Sequence, residues 1–81
     1  MSVNTFHLTI ASVSEAHFDG PARSATFPGS DGELTVLARH EPFVTTLRKG
    51  KITVRDERGS KEYPVESGVL EVSGNRAVVL L

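Results

Sequence analysis

The chain has 81 residues, one domain near the lower limit for a self-sufficient core and too short for a second. Lys and Arg number 9 against 10 Asp and Glu, a formal charge of -1, which argues against phosphate-backbone binding and against an acidic interaction tail; nucleic acid is not an expected partner. The absence of cysteine excludes disulfides, thiolate metal sites and thiol nucleophiles, and no apolar run approaches the roughly 18 to 20 residues of a membrane span.

The N-terminal "MSVNTFHLTIASV" has neither a charged leader nor an apolar leader segment, so the chain reads as soluble, unprocessed and compatible with the cytoplasm. Phe6, Leu8 and Ile10 alternate with His7, Thr9 and Ala11, which predicts a first strand with one apolar face. His17 and Phe18 then read as a turn region. The same two-residue period recurs in short segments at Ala25 and Phe27, Leu34 and Val36, Ile52 and Val54, Tyr63 and Val65, Leu70 and Val72, and finally Val78 and Leu80. Glycines at 20, 29, 32, 50, 59, 68 and 74 separate these segments and leave no room for an ordinary helix after residue 19. Gly59 in "RDERGSKEY" and Gly74-Asn75 in "EVSGNRAVV" predict antiparallel hairpins. Pro28 and Pro42 bracket an exposed edge or loop, because proline cannot donate to a ladder. The fold class is all-β, a sandwich or small barrel of short strands.

The bracketed stretch, "GSDGELTVLARHEPF" at 29 to 43, concentrates the residues with chemical potential. "HEPF" opens like a zinc-binding helix motif but lacks the second histidine, and neither His7 nor His17 has a ligand at suitable spacing, so no metal is expected. Asp31 and Glu33 carry the wrong sign for a phosphate loop, and two carboxylates without the spacing of a twelve-residue loop do not make a calcium site. No serine sits in a nucleophile elbow. No cofactor or catalytic residue is assigned. Two alternatives stay open on the residues alone: a small-ligand-binding or hydrolytic sandwich with its site at 29 to 43, using His40 with Asp31 or Glu33, and a generic adaptor that offers an edge strand.

Landmarks in order give a more specific reading. They are Phe6-His7-Leu8, Phe18-Asp19-Gly20, Pro28-Gly29-Ser30-Asp31-Gly32-Glu33-Leu34, His40-Glu41-Pro42, Leu47-Arg48-Lys49-Gly50 and Gly68-Val69-Leu70-Glu71-Val72. This set resembles the N-terminal β-sandwich domain of the F-type ATP synthase epsilon subunit, called delta in mitochondria, over almost the whole chain. The resemblance implies a small flattened antiparallel β-sandwich of about ten short strands. It also implies a non-catalytic rotor part that binds the gamma subunit and rests on the polar loops of the c-ring, on the cytoplasmic face of the inner (plasma) membrane, without inserting into it. The isolated chain is expected to be monomeric. By that match Ser30, Asp31, Gly32 and Glu33 face the c-ring, with Glu33 foremost, and Arg39, His40, Glu41 and Pro42 lie near gamma and the ring.

The chain departs from the family pattern at Thr35, where glycine is usual, at Ala38 and Arg39, which replace a common Pro-Gly, and at Glu41, which replaces a small residue. Residues 1–81 read as one such domain, without the two-helix C-terminal domain that carries regulation in the family, so neither inhibition of ATP hydrolysis nor ATP binding is expected of it.

Overall fold

A computed structural model describes residues 4–81. Those residues form nine strands and no helix: β1 (Phe6–Ala11), β2 (Ala16–Ala22), β3 (Ser24–Gly29), β4 (Gly32–Leu37), β5 (Phe43–Leu47), β6 (Gly50–Asp56), β7 (Gly59–Val65), β8 (Gly68–Ser73) and β9 (Arg76–Leu80). Side chains alternate across a strand, so the apolar residues of each segment collect on one face and must find another apolar face to cover them. The strands follow one hydrogen-bonded path, β2-β1-β9-β8-β5-β3-β6-β7, with β4 added to β3. That path folds over at β3, where Gly29 pairs with Leu47 of β5 while residues 24–26 pair with β6. The result is a sandwich of one layer β2-β1-β9-β8-β5 against another, β7-β6-β3-β4.

Between the layers lie Phe6, Leu8, Ile10, Ala25, Phe27, Val36, Leu47, Ile52, Val54, Val65, Leu70, Val72 and Val79, joined by Ala22 and Ala77. No polar or charged residue is buried among the described residues, so the core rests on apolar burial and packing alone. Phe18 and Tyr63 meet edge to face, with ring centroids 6.1 Å apart, and close the β2/β7 side of the sandwich.

Chain neighbours pair as antiparallel hairpins, as the turns predict: β1 with β2, β3 with β4, β6 with β7, and β8 with β9. One parallel pairing joins β1 to β9, with His7 opposite Arg76 and Ala11 opposite Leu80. These strands come from opposite ends of the chain, so no tight turn constrains their direction. Two expectations need correction. His17 and Phe18 belong to β2, with Phe18 opposite Ile10; as an edge strand mostly in solvent, β2 has the polar, Gly- and Pro-containing composition of a turn. In β9 the buried residues are Ala77 and Val79, whereas Val78 is half-buried and Leu80 exposed. The two-residue turn at 74–75 pairs Val72 with Ala77 and Leu70 with Val79, and that register sets which β9 residues share the core face.

His7 and Asp19 form a cross-strand pair on the outside of β1 and β2, with Nε2 2.6 Å from Oδ1, and the Thr9 hydroxyl donates to the same oxygen at 3.1 Å. These two hydrogen bonds, His7's first, hold the Asp19 carboxyl below its ordinary value, with a smaller contribution from Arg76. A depressed folded-state value means stability that is present above the unfolded aspartate range of about 4 and lost as pH falls through the folded value. Asp19→Asn is therefore expected to flatten the acid limb. Its melting temperature should fall less than that of the parent chain between neutral pH and pH values below about 4, measured by circular dichroism.

Candidate interaction surface

The stretch 29 to 43 is an edge strand with a turn at each end. Gly29 and Gly32 close a two-residue turn on Ser30 and Asp31, and Gly32 supplies a φ of 131 that side chains rarely adopt. The β6–β7 hairpin uses the same device, Glu57 and Arg58 followed by Gly59 at φ 125. The Ser30 amide donates to the Thr46 carbonyl at 3.0 Å, and the two hydroxyls meet at 2.6 Å, so β5 pins the turn. Asp31 and Glu33 are exposed beside it and make no ion pair among the described residues.

Arg39, His40, Glu41 and Pro42 lie at the other end of β4. At roughly 3.3 Å per residue, the six-residue strand separates the two groups by about 20 Å. They bracket one edge and do not converge, which removes the geometry that a hydrolytic pairing of His40 with Asp31 or Glu33 requires. The His40 ring packs on Phe43, centroids 5.1 Å apart, and its Nδ1 donates to the Glu41 carbonyl at 2.9 Å. Arg39 has a φ of 62, the left-handed conformation that glycine adopts without cost. For an arginine the cost is on the order of 1 kcal/mol.

Asn75, which the sequence reading did not single out as a site residue, supports this turn. Its side-chain oxygen accepts from the Arg39 amide at 2.8 Å, its side-chain amide donates to the Thr5 carbonyl at 2.7 Å, and its own carbonyl accepts from the His7 amide at 3.0 Å. One residue thus ties the β4–β5 loop to the β8–β9 turn and the start of β1. The signal available was an asparagine in a two-residue turn, which sequence reading uses for turn geometry alone.

The two outer faces differ. On β5, β8, β9 and β1, cross-strand rows run Thr46, Val69, Leu80, Ala11 and Val44, Glu71, Val78, Thr9. Val44, Val69 and Leu80 are 66%, 41% and 60% exposed, which makes this an apolar face open to solvent. The opposite face carries Thr35, Thr26, Thr53 and Glu62 in one row and Leu37, Ser24, Arg55 and Ser60 in the next. Lys51 and Glu62 pair there at 3.0 Å. A surface cleft of about 580 Å³ opens between β2 and the β6–β7 turn, lined by Phe18, Arg23, Arg58 and Lys61 among others; no residue of 29 to 43 reaches it.

The family model described as "ATP synthase, Delta/Epsilon chain, beta-sandwich domain" matches residues 5–81. The chain belongs to this family. An ATP synthase epsilon chain of Delftia acidovorans is 38% identical over 79 residues, 96% of this chain and 57% of the relative. One from Caulobacter vibrioides is 34% identical over 74 residues, 91% of this chain and 86% of the relative. The chain thus spans little more than half the length of several curated relatives it matches. Among solved structures, a chain in the Euglena gracilis mitochondrial ATP synthase, OSCP/F1/c-ring in rotational state 1, superposes with a TM-score of 0.87 at 26% identity, over 94% of this chain and 49% of that one. A chain in the Tetrahymena thermophila mitochondrial ATP synthase central stalk/c-ring structure has a TM-score of 0.76 at 16% identity, over 91% of this chain and 60% of that one, a likeness of fold. No helix among the described residues is long and apolar enough to cross a membrane.

Proposed function

We propose that this domain is a non-catalytic component of the central stalk of an F-type ATP synthase, linking the gamma subunit to the c-ring on the cytoplasmic side of the membrane. The observation that carries the reading is the family match across residues 5–81, with relatives named as epsilon chains. The structure supplies what such a joint needs mechanically: a dry two-layer core and cross-strand ladders that transmit force without a flexible hinge. In this reading gamma lies along the apolar outer face of β5, β8 and β9, where Val44, Val69 and Leu80 supply area that water otherwise covers.

The turn at 30–31 presents Asp31 and Glu33 to the ring loops. Glu33 sits one residue past a pinned glycine turn, so little backbone entropy is lost when it meets a cation, and desolvation strengthens that pair relative to a free surface bridge. Mixed with purified gamma subunit at micromolar concentration, the chain is expected to co-elute on a sizing column; separate elution would defeat the reading. Glu33→Ala should keep the parent melting temperature and still co-elute with gamma, but lower proton-coupled ATP synthesis in reconstituted vesicles. Normal coupling in that variant would make Glu33 a solvated turn residue.

A further inference from the structure

One carboxylate stands inside the apolar outer face. Across β5, β8, β9 and β1 its two rows run Thr46, Val69, Leu80, Ala11 and Val44, Glu71, Val78, Thr9, and Glu71 is the one ionisable side chain in them, exposed to solvent. Val44 and Val78 face it directly from the two adjoining strands, Val69 precedes it on the same side of β8, and Leu80 lies diagonal to it.

No neighbouring cation compensates it. Glu71 makes no ion pair among the described residues. Arg76 stands diagonal to it in the next row, Ser73, Arg76 and His7, yet the two do not pair, and the Arg76 charge contributes instead to depressing the Asp19 carboxyl. Other charges lie further off. Asp19 closes the same row three strands away, about 14 Å at ordinary strand spacing, and is held by His7 and Thr9. Arg48 lies four residues past Val44, and the Arg39–Glu41 loop is tied to Asn75, four residues past Glu71. Four residues of strand are about 13 Å, beyond the screening length of about 8 Å at physiological salt. While the face is open, water solvates the carboxylate. A partner that covers the valines and the leucine removes that water, and a buried carboxylate left unpaired costs more than such apolar contacts return.

We propose that Glu71 selects the partner of this face: the gamma subunit sets a lysine or arginine against it, with the aliphatic stem over Val44, Val69, Val78 or Leu80 and the charged end on the carboxylate. The inference rests on the reading above, in which gamma covers this face, and it uses neither Glu33 nor the turn at 29–32, which that reading gives to the ring. A second copy of the chain fits less well. A twofold contact brings two copies of Glu71 onto one covered face, and the basic residue each copy could offer, Arg76, stands in the outer row beside His7 and not among the apolar side chains.

Glu71→Gln tests the charge and keeps the shape, while Leu80→Asp tests whether gamma covers the face at all. Both positions are exposed, so both variants should keep the parent melting temperature. Titrated with purified gamma, Glu71→Gln should bind at least tenfold more weakly than the parent chain and Leu80→Asp more weakly still. Raising the salt concentration should weaken the parent complex more than the Glu71→Gln complex, a difference that loss of shape or packing would not produce. If Leu80→Asp weakens binding but Glu71→Gln binds as tightly as the parent, the pairing is overturned and gamma keeps the face. If the parent binds gamma and Leu80→Asp binds equally well, gamma lies elsewhere, the pairing is overturned and the rotor reading stands. If the parent does not bind gamma, both fall. Self-association of the chain alone that Leu80→Asp abolishes would assign the face to a second copy and overturn the proposal.

Discussion

Phe27→Ala is expected to lower the melting temperature by about 15 °C or more. Phe27 is the largest of the fully buried side chains and sits in β3, the strand that pairs with β4, β5 and β6 and so holds the two layers together. Removing a buried phenylalanine ring loses its transfer free energy and leaves a cavity that surrounding strands cannot fill, about 3–5 kcal/mol in total. Small domains are stable by roughly 5–15 kcal/mol, so this single change consumes a large share. No buried polar group offers a compensating contact, because the core contains none among the described residues. Thermal melts followed by circular dichroism would measure the shift. A drop of only a few degrees would mean that the layers collapse onto the vacated space and that β3 is less central than its pairings indicate.

Most of the fold was legible because its strands alternate cleanly and three of its four hairpins are marked by glycine. Phe6, Leu8 and Ile10 are buried as the pattern requires, as are Ile52 and Val54, and Leu70 and Val72. The exceptions have identifiable causes. "RAVVLL" is apolar at nearly every position, so alternation cannot say which side faces inward, and only the register across the 74–75 turn decides for Ala77 and Val79. β2 looked like a turn because an edge strand facing water needs few apolar residues. The parallel pairing of β1 with β9 is a contact between chain ends, beyond the reach of any local pattern.

The candidate surface was legible in composition but not in shape. The glycine-bounded turn at 29 to 32 was visible, yet grouping Glu33 with His40 overlooked the length of the strand between them. Nothing in "LARHEP" alone indicates a left-handed Arg39. Asn75 holds that conformation from 36 residues away, through the Arg39 amide, a contact that exists only after β9 has paired with β8. Local sequence therefore marks where the surface lies, while long-range pairing determines how its parts are spaced.

Gly29→Ala is expected to cost about 1–3 kcal/mol and lower the melting temperature by roughly 5–20 °C. A Cβ at Gly29 would lie 2.6 Å from the Gly32 carbonyl oxygen and 2.9 Å from Leu34 Cδ2. The leucine can turn aside, but the carbonyl belongs to the closing pair of the hairpin and moves only if the turn opens. Gly32 is constrained differently, since nothing lies within 4 Å of its missing Cβ and its φ of 131 is the obstacle. Gly29 is also where β3 pairs with Leu47, so the displacement reaches the corner between the layers and the Ser30 contacts with Thr46. The variant should therefore show faster deuterium exchange at the Ser30 amide as well as a lower melting temperature. Loss of stability with unchanged exchange at Ser30 would place the strain in the core and not in the turn. Faster exchange would tie the position of Asp31 and Glu33 to a glycine chosen for space, making the turn a rigid mount for the carboxylates that the rotor reading sets against the ring.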